Sequence, residues 1–366
     1  MNKIKVIIIQ EYNTPYRNEL FNELNYFEDI ELHLLYIGSL PPSRKWNEKI
    51  KSNFHEHFIA NDFINLSYEQ NKNKIKYLDL IKVFLRIKPD VVVTQLGLVS
   101  SLFYLISFYR KIRFVYWNEA TKITDPGRKI NWKYKIFKNK FTSFVSTGEL
   151  SNEFLNFAGY KLSNSNTFIM PNSVDDIYSI SVSEFKEKFH KIAKLKILFV
   201  GSFIKRKGFD LLQDAIININ KQGFDSKVEY HFIGAGDIEL SQIPNVIIHG
   251  FLNSSDSLIL YKKSHAIIVP SLWDCNPLVV VEALKCGNIV LLSDGVGSYP
   301  EFVNDNGFVF SRNSIEDIEN VILKLIALEL SDLIKMGACS LKISENISHK
   351  NSAKSFYNAI QYSYKI

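Results

Sequence analysis

Two carboxylates, Asp274 and Glu282, stand with seven residues between them in SLWDCNPLVVVEALKCGNIVLLSDGVG. Between them, Asn276-Pro277 reads as a helix start, with Asn at the N-cap and Pro at the first helical position. Gly287 suits the residue just past the helix end. In such a helix the backbone N–H groups of Leu278 and Val279 have no internal partner and point at whatever anion lies in front of them. Asp274 lies in the loop before the helix and Glu282 about six positions into it, so at roughly 1.5 Å per residue the helical part separates them by about 8 Å along the axis. That separation suits one ligand with a diphosphate at the helix end and a hydroxyl-bearing ring on each side, because ionised carboxylates are strong hydroxyl acceptors. Other local readings stay open. Val279-Val280-Val281 is a β-branched run that reads as strand, the Asn276 side chain could occupy the Val279 amide, and an ordinary capped helix with a surface Asp and Glu fits too.

A second group of residues offers matching charge. In LKILFVGSFIKRKGFDLLQDAI an apolar strand (197–200) meets a turn at Gly201-Ser202, then Lys205, Arg206 and Lys207, then an amphipathic helix from Phe209 with Leu211, Leu212, Ala215 and Ile216 on one face. Transfer from a nucleotide sugar builds negative charge on the departing diphosphate. Either a metal held by acidic groups or fixed cations must meet that charge. The chain has no Asp-x-Asp triplet. Arg206 and Lys207 are therefore the expected counter-charge, with no metal ligands and no cofactor beyond the co-substrate. A solvated basic turn is the plain alternative.

The first stretch resembles the E-x7-E signature of the retaining glycosyltransferases of family 4, which have the GT-B fold. The resemblance implies that Glu282 holds the ribose of the nucleotide and that Asp274, where the family has its first glutamate, lies by the transferred sugar. The second stretch resembles the family's "G…RKG" element, whose Arg and Lys contact the diphosphate; Ser202 stands where many members carry Arg. The opening KIKVIIIQEYNTPYRNELFNEL, with Tyr16 and Arg17 before a helix, looks like the first strand and acceptor-side loop. WNEATKIT, with Glu119 after a strand end, and FIMPNSVDD look similar as well. By the same resemblance the loop at Gly234 lies near the nucleotide and the final helix crosses back onto the first domain; Gly250-Phe251, which follows another strand, could contact the base through backbone.

These residues need elements to hold them. Apolar runs at 4–9, 32–36, 91–94, 114–117, 143–146 and 168–170 alternate with helical patterns. After a basic stretch at 184–196 the alternation restarts at 197–200, 230–233, 246–248, 266–269, 289–292 and 308–310. Uniformly apolar strands separated by helices predict parallel sheets covered on both faces. Two sets predict an α/β chain of two doubly wound, Rossmann-like domains with a cleft between them. The expected domains are residues 1–175, joined by the helix at 350–366, for the acceptor, and 176–349 for the nucleotide sugar. Ligands bind at the carboxyl ends of such strands. The donor set is therefore Gly201, Ser202, Gly234, Phe251, Asn276, Pro277, Leu278 and Val279 around Arg206, Lys207, Asp274 and Glu282. Tyr16, Arg17 and Glu119 form the acceptor side.

Composition narrows the class. At 366 residues, with 46% hydrophobic and 22% charged, the chain suits two well-buried domains rather than disorder. Its three cysteines form no C-x-x-C pair, which points to a reduced cytoplasm. Cys275 has no histidine nearby in sequence and reads as a small loop side chain. The N-terminus is too short for a signal peptide, and 91–109 splits into strand, turn and helix rather than spanning a membrane. Residues 1–175 hold 24 Lys and Arg against 17 Asp and Glu, so the whole charge excess of +6 lies there. Its densest part, 110–140, interleaves Trp117, Trp132, Tyr134 and Phe137 with basic residues. Such a segment suits the anionic inner face of a cell membrane, where a lipid-linked acceptor would sit, although a solvated face explains it too. No nucleic-acid module appears. His55 and His57 share one side of a strand-like run and read as surface residues, and the eight histidines form no plausible zinc set.

The expectation is a metal-independent, retaining glycosyltransferase. It moves a hexose or N-acetylhexosamine from a nucleoside diphosphate sugar, a UDP-sugar foremost, to a lipid-linked oligosaccharide in surface polysaccharide assembly. A sugar-nucleotide epimerase of the same architecture and a catalytically silent sugar-nucleotide-binding protein are the competing readings.

Overall fold

The computed structural model describes residues 3–38, 51–59, 77–95, 98–107, 111–124, 138–238 and 242–366. Trp132, Tyr134 and Phe137 of the basic stretch lie outside them. Among the described residues the first sheet has seven strands: β1 (Ile4–Gln10), β2 (Ile30–Tyr36), β3 (His55–Phe58), β4 (Val91–Thr94), β5 (Arg113–Asn118), β6 (Phe141–Ser146) and β7 (Thr167–Ile169). Their order is β3-β2-β1-β4-β5-β6-β7, and every pairing is parallel.

The second sheet holds six: β8 (Leu195–Val200), β9 (Val228–Ile233), β10 (Val246–Gly250), β11 (Ala266–Val269), β12 (Ile289–Ser293) and β13 (Gly307–Phe310), in the order β10-β9-β8-β11-β12-β13. This is the expected double-wound α/β pair. Central strands such as VVVT at β4 and AIIV at β11 are buried at every position, because helices cover both faces. The expected strands all form. The sheet also gains β3 at its outer edge, whose sequence HEHF is polar enough to escape an apolar scan.

Helix Leu278–Lys285 forms although its valines favour strand, because Val280, Val281, Ala283 and Leu284 are fully buried in the core under β11 and β12. Gly287 closes it in the left-handed region, φ +67°. Its start differs by one residue from expectation. Pro277 is the N-cap in extended conformation, and no side chain caps the helix.

The chain passes between the sheets twice. The first passage runs past Pro171–Val174. The second leads into helix His349–Lys365, which packs Ala353, Phe356, Ala359 and Ile360 into the core of the first sheet. Trp117 meets Phe356 edge-on at 4.9 Å, and Ser143 donates to the Ala359 carbonyl at 2.9 Å. His349 links the two passages, with Nδ1 2.8 Å from Ser173 Oγ and Nε2 3.0 Å from Asp175 Oδ1. Trp117 corrects the sequence reading: it is 1% exposed in a core strand and cannot meet a membrane surface. No helix among the described residues is long and apolar enough to cross a membrane.

Candidate active site

The carboxyl ends of the two sheets face each other across a cleft of about 330 Å³. Tyr16, Arg17, Glu119 and Thr124 line it from the first domain, Asn172 from the first passage, and Arg206, Trp273, Asp274, Cys275 and Asn276 from the second domain.

On the second-domain side, β8 is followed by Gly201, whose N–H donates to the Ile233 carbonyl at 3.0 Å. A Cβ on Gly234 would lie 1.9 Å from the Gly201 carbonyl oxygen, so the ends of β8 and β9 touch backbone to backbone. The basic segment forms a 3₁₀ turn, Lys205–Lys207, closed by Gly208 at φ +65°. The Leu272 N–H donates to the Arg206 carbonyl at 2.9 Å, fixing that turn to the loop after β11. Arg206 Nη1 donates to the Trp273 carbonyl at 3.3 Å, leaving the rest of its donor fork along the cleft. Lys207 is spent differently. Its ammonium pairs with the Asp274 carboxylate, with both side chains mostly buried.

Asp274 is held through its backbone as well. Its N–H donates to the Gly295 carbonyl at 2.9 Å, and its carbonyl accepts from Gly297 at 2.7 Å. Asn276, 7% exposed, lines the cleft with neither its amide nitrogen nor its amide oxygen paired. Its own carbonyl accepts from Asn172 at 3.1 Å. The Asn276 amide does not occupy the helix end, so the first amides of helix Leu278–Lys285 keep no side-chain cap. Cys275 keeps its proton, since burial pushes its thiol up to about 11.

Glu282 does not line this cleft. It sits on the same helix further in, where Tyr261 donates to its carboxylate at 2.5 Å and the Tyr178 hydroxyl also reaches it. Burial raises the Glu282 pKa to about 7. Among the other expected donor residues, Ser202 is exposed, Phe251 is 79% exposed, and Pro277, Leu278 and Val279 follow Asn276 without lining the cleft.

On the opposite wall Arg17 Nη2 donates to both Glu119 carboxylate oxygens, at 2.7 and 2.8 Å. Arg17 Nη1 reaches Gln10 Oε1 at 2.5 Å, and the guanidinium lies 4.8 Å from the Trp117 ring centroid. Its Nε is buried without a partner. Thr124, Asn172 and Trp273 escape the sequence reading as site residues. Asn172 lies inside the noted FIMPNSVDD segment, but only the chain passage brings its side chain to Asn276.

The profile of the glycosyl transferases group 1 family matches residues 182–338. Among curated relatives, an uncharacterised 41.2 kDa protein in the cps region of Klebsiella pneumoniae is 28% identical over 167 residues, 42% of this chain and 45% of that protein. The match thus spans under half of the relative's length. Among solved structures, sucrose-phosphate synthase from Thermosynechococcus elongatus superposes with a TM-score of 0.74 at 13% identity, covering 98% of each chain. Anabaena HepE in complex with UDP and glucose superposes with a TM-score of 0.71 at 13% identity, covering 98% of this chain and 99% of that one. The fold is GT-B, that of a large class of glycosyltransferases. Within it, the stretch that matches the group 1 profile, residues 182–338, carries Arg206, Lys207, Asp274 and Glu282.

Proposed function

We propose that this protein transfers a hexose or N-acetylhexosamine from a nucleoside diphosphate sugar, UDP-sugars foremost, to an acceptor bound against the first domain, with retention at the anomeric carbon. The observation that carries the reading is the opposition of two charged walls. Arg206 and Asp274, in the group 1 segment, face Arg17 and Glu119 across one cleft. Arg206 and the uncapped end of helix Leu278–Lys285 would meet the charge that grows on the leaving diphosphate. Lys207 and Asp274 act as a pair: the ammonium orients the carboxylate, which accepts from the donor sugar's hydroxyls. Glu282, steadied by Tyr261, accepts from the ribose.

The acceptor is a lipid-linked oligosaccharide of surface polysaccharide assembly, reached at the inner face of the cell membrane. Support comes from the basic first half and from the cps-region setting of the Klebsiella relative. The catalytic charges are built into the chain, so the reaction runs without a divalent ion. A thermal-shift screen of uridine, guanosine and adenosine diphosphosugars tests the donor reading, since a ligand of the folded state raises its melting temperature by mass action. Flat curves across the set overturn it. Turnover abolished by chelator and restored by magnesium or manganese overturns the metal-independent part.

A further inference from the structure

At the outer edge of the first sheet, β2 carries Glu31 and His33 and β3 carries His55 and His57, each pair two residues apart and so on one face of its strand. The parallel register sets His33 opposite His55 and Leu35 opposite His57. Four side chains with metal-ligating atoms thus share one patch. His33 Nε2 lies 2.9 Å from Glu31 Oε1, His33 Nδ1 lies 3.1 Å from His57 Nε2, and the His33 and His55 rings stack at 4.7 Å.

The second sheet supplies an internal comparison. Glu229 and His231 on β9 and His249 on β10 repeat the chain of contacts, with His231 Nε2 2.8 Å from Glu229 Oε1 and Nδ1 3.0 Å from His249 Nε2. There, however, the residue opposite His231 is Ile247. A Glu–His–His chain therefore closes on itself through hydrogen bonds alone, and the first sheet adds one imidazole that such a chain does not require. That addition, His55, is exposed, and its side chain has no hydrogen bond among the described residues. We propose that Glu31, His33 and His55 form a site for one divalent first-row transition ion, with zinc as its defining ligand, remote from the cleft.

The geometry suits the ion. Ligating atoms of the three residues lie within 4.8 Å of one another. Zinc–ligand bonds of about 2.0–2.1 Å in a tetrahedron put ligand atoms roughly 3.4 Å apart. His33 Nε2 and Glu31 Oε1, 2.9 Å apart, would part slightly around the ion, and the exposed His55 ring would swing inward to meet it. Two imidazoles and one carboxylate leave a fourth position for water. With the ion on His33 Nε2, the Nδ1–H donates to His57 Nε2, and this outer contact fixes the tautomer and orientation of the ligating ring. Two cations oppose the site. Lys5 lies beside Glu31 on β1, and Arg86 Nη2 lies 3.4 Å from His57 Nδ1, though Arg86 is exposed and can turn into solvent.

The test uses the full chain, freed of metal and titrated with zinc chloride by calorimetry and with cobalt(II) by visible absorption. The wild type is expected to take up one ion per chain, with the intense absorption of four-coordinate cobalt. His55→Ala, at an exposed position that leaves the fold intact, should weaken uptake at least about tenfold. Glu31→Gln should do the same. His249→Ala, at the other sheet edge, should change nothing. No uptake by the wild type, wild-type affinity in His55→Ala, or loss in His249→Ala overturns the proposal.

Discussion

Arg206 sits in a tight turn whose backbone is tied to the loop after β11, so its guanidinium is aimed rather than free to wander. Arg206→Ala is expected to lower kcat at least a hundredfold with circular dichroism unchanged, which corresponds to about 2.7 kcal/mol of transition-state stabilisation. Glu282 gives a pH signature. Burial lifts its pKa to about 7, and only the ionised form accepts fully from two hydroxyls. Nucleotide affinity is therefore expected to be intact above pH 7 and to weaken as pH falls through that value, and Glu282→Gln should weaken binding and flatten the profile. Calorimetric Kd values for UDP between pH 5.5 and 8.5 check both statements. Asp274 was legible as a cleft residue from its short segment, whereas Glu282, on the helix of the same segment, turns inward to Tyr261 and does not line the cleft. The Arg17–Glu119 pair, 102 residues apart, was legible only as two separate candidates. That Lys207 pairs with Asp274 instead of standing free is a contact between two loops, and local pattern does not encode it.

At the scale of elements, the site depends on backbone approaches that tolerate no side chain. Gly208 closes the basic turn in the left-handed region, and a Cβ there would lie 1.9 Å from the Pro270 carbonyl oxygen. Gly208→Ala should thus cost about 2 kcal/mol or more through strain and clash. It should also displace Arg206, so that activity falls further than the loss of stability explains; urea unfolding beside steady-state rates separates the two. The strands were readable because burial on both faces forces an unbroken apolar run. Helix Leu278–Lys285 was readable from its ends rather than its middle, since the packing of Val280, Val281 and Leu284 overrides their strand preference. β3 was hard to place because an edge strand needs no apolar run, and its two histidines looked like surface decoration until register set His55 beside His33.

At the scale of the molecule, the two domains also touch away from the cleft floor. The Glu301 carboxylate accepts from the Glu149 N–H at the start of helix Glu149–Phe157, and its other oxygen is buried without a partner. Gly148 leaves the room this carboxylate fills, since a Cβ there would lie 2.4 Å from Glu301 Oε1. Glu301→Ala removes a helix-end acceptor, a loss of about 1 kcal/mol by the scale of N-cap substitutions. It is expected to loosen the closed arrangement, seen as a larger radius of gyration in small-angle scattering and a raised KM for donor. The double passage of the chain bears on the same motion. Two connections joined by His349 to Ser173 and Asp175 act as a pair of pins. Such a doubled link is expected to favour a swing of one lobe toward the other over sliding or twisting. Closure on a donor is then expected to follow one coordinate that keeps Arg206 opposite Glu119, seen as a single compaction step in scattering during a UDP titration.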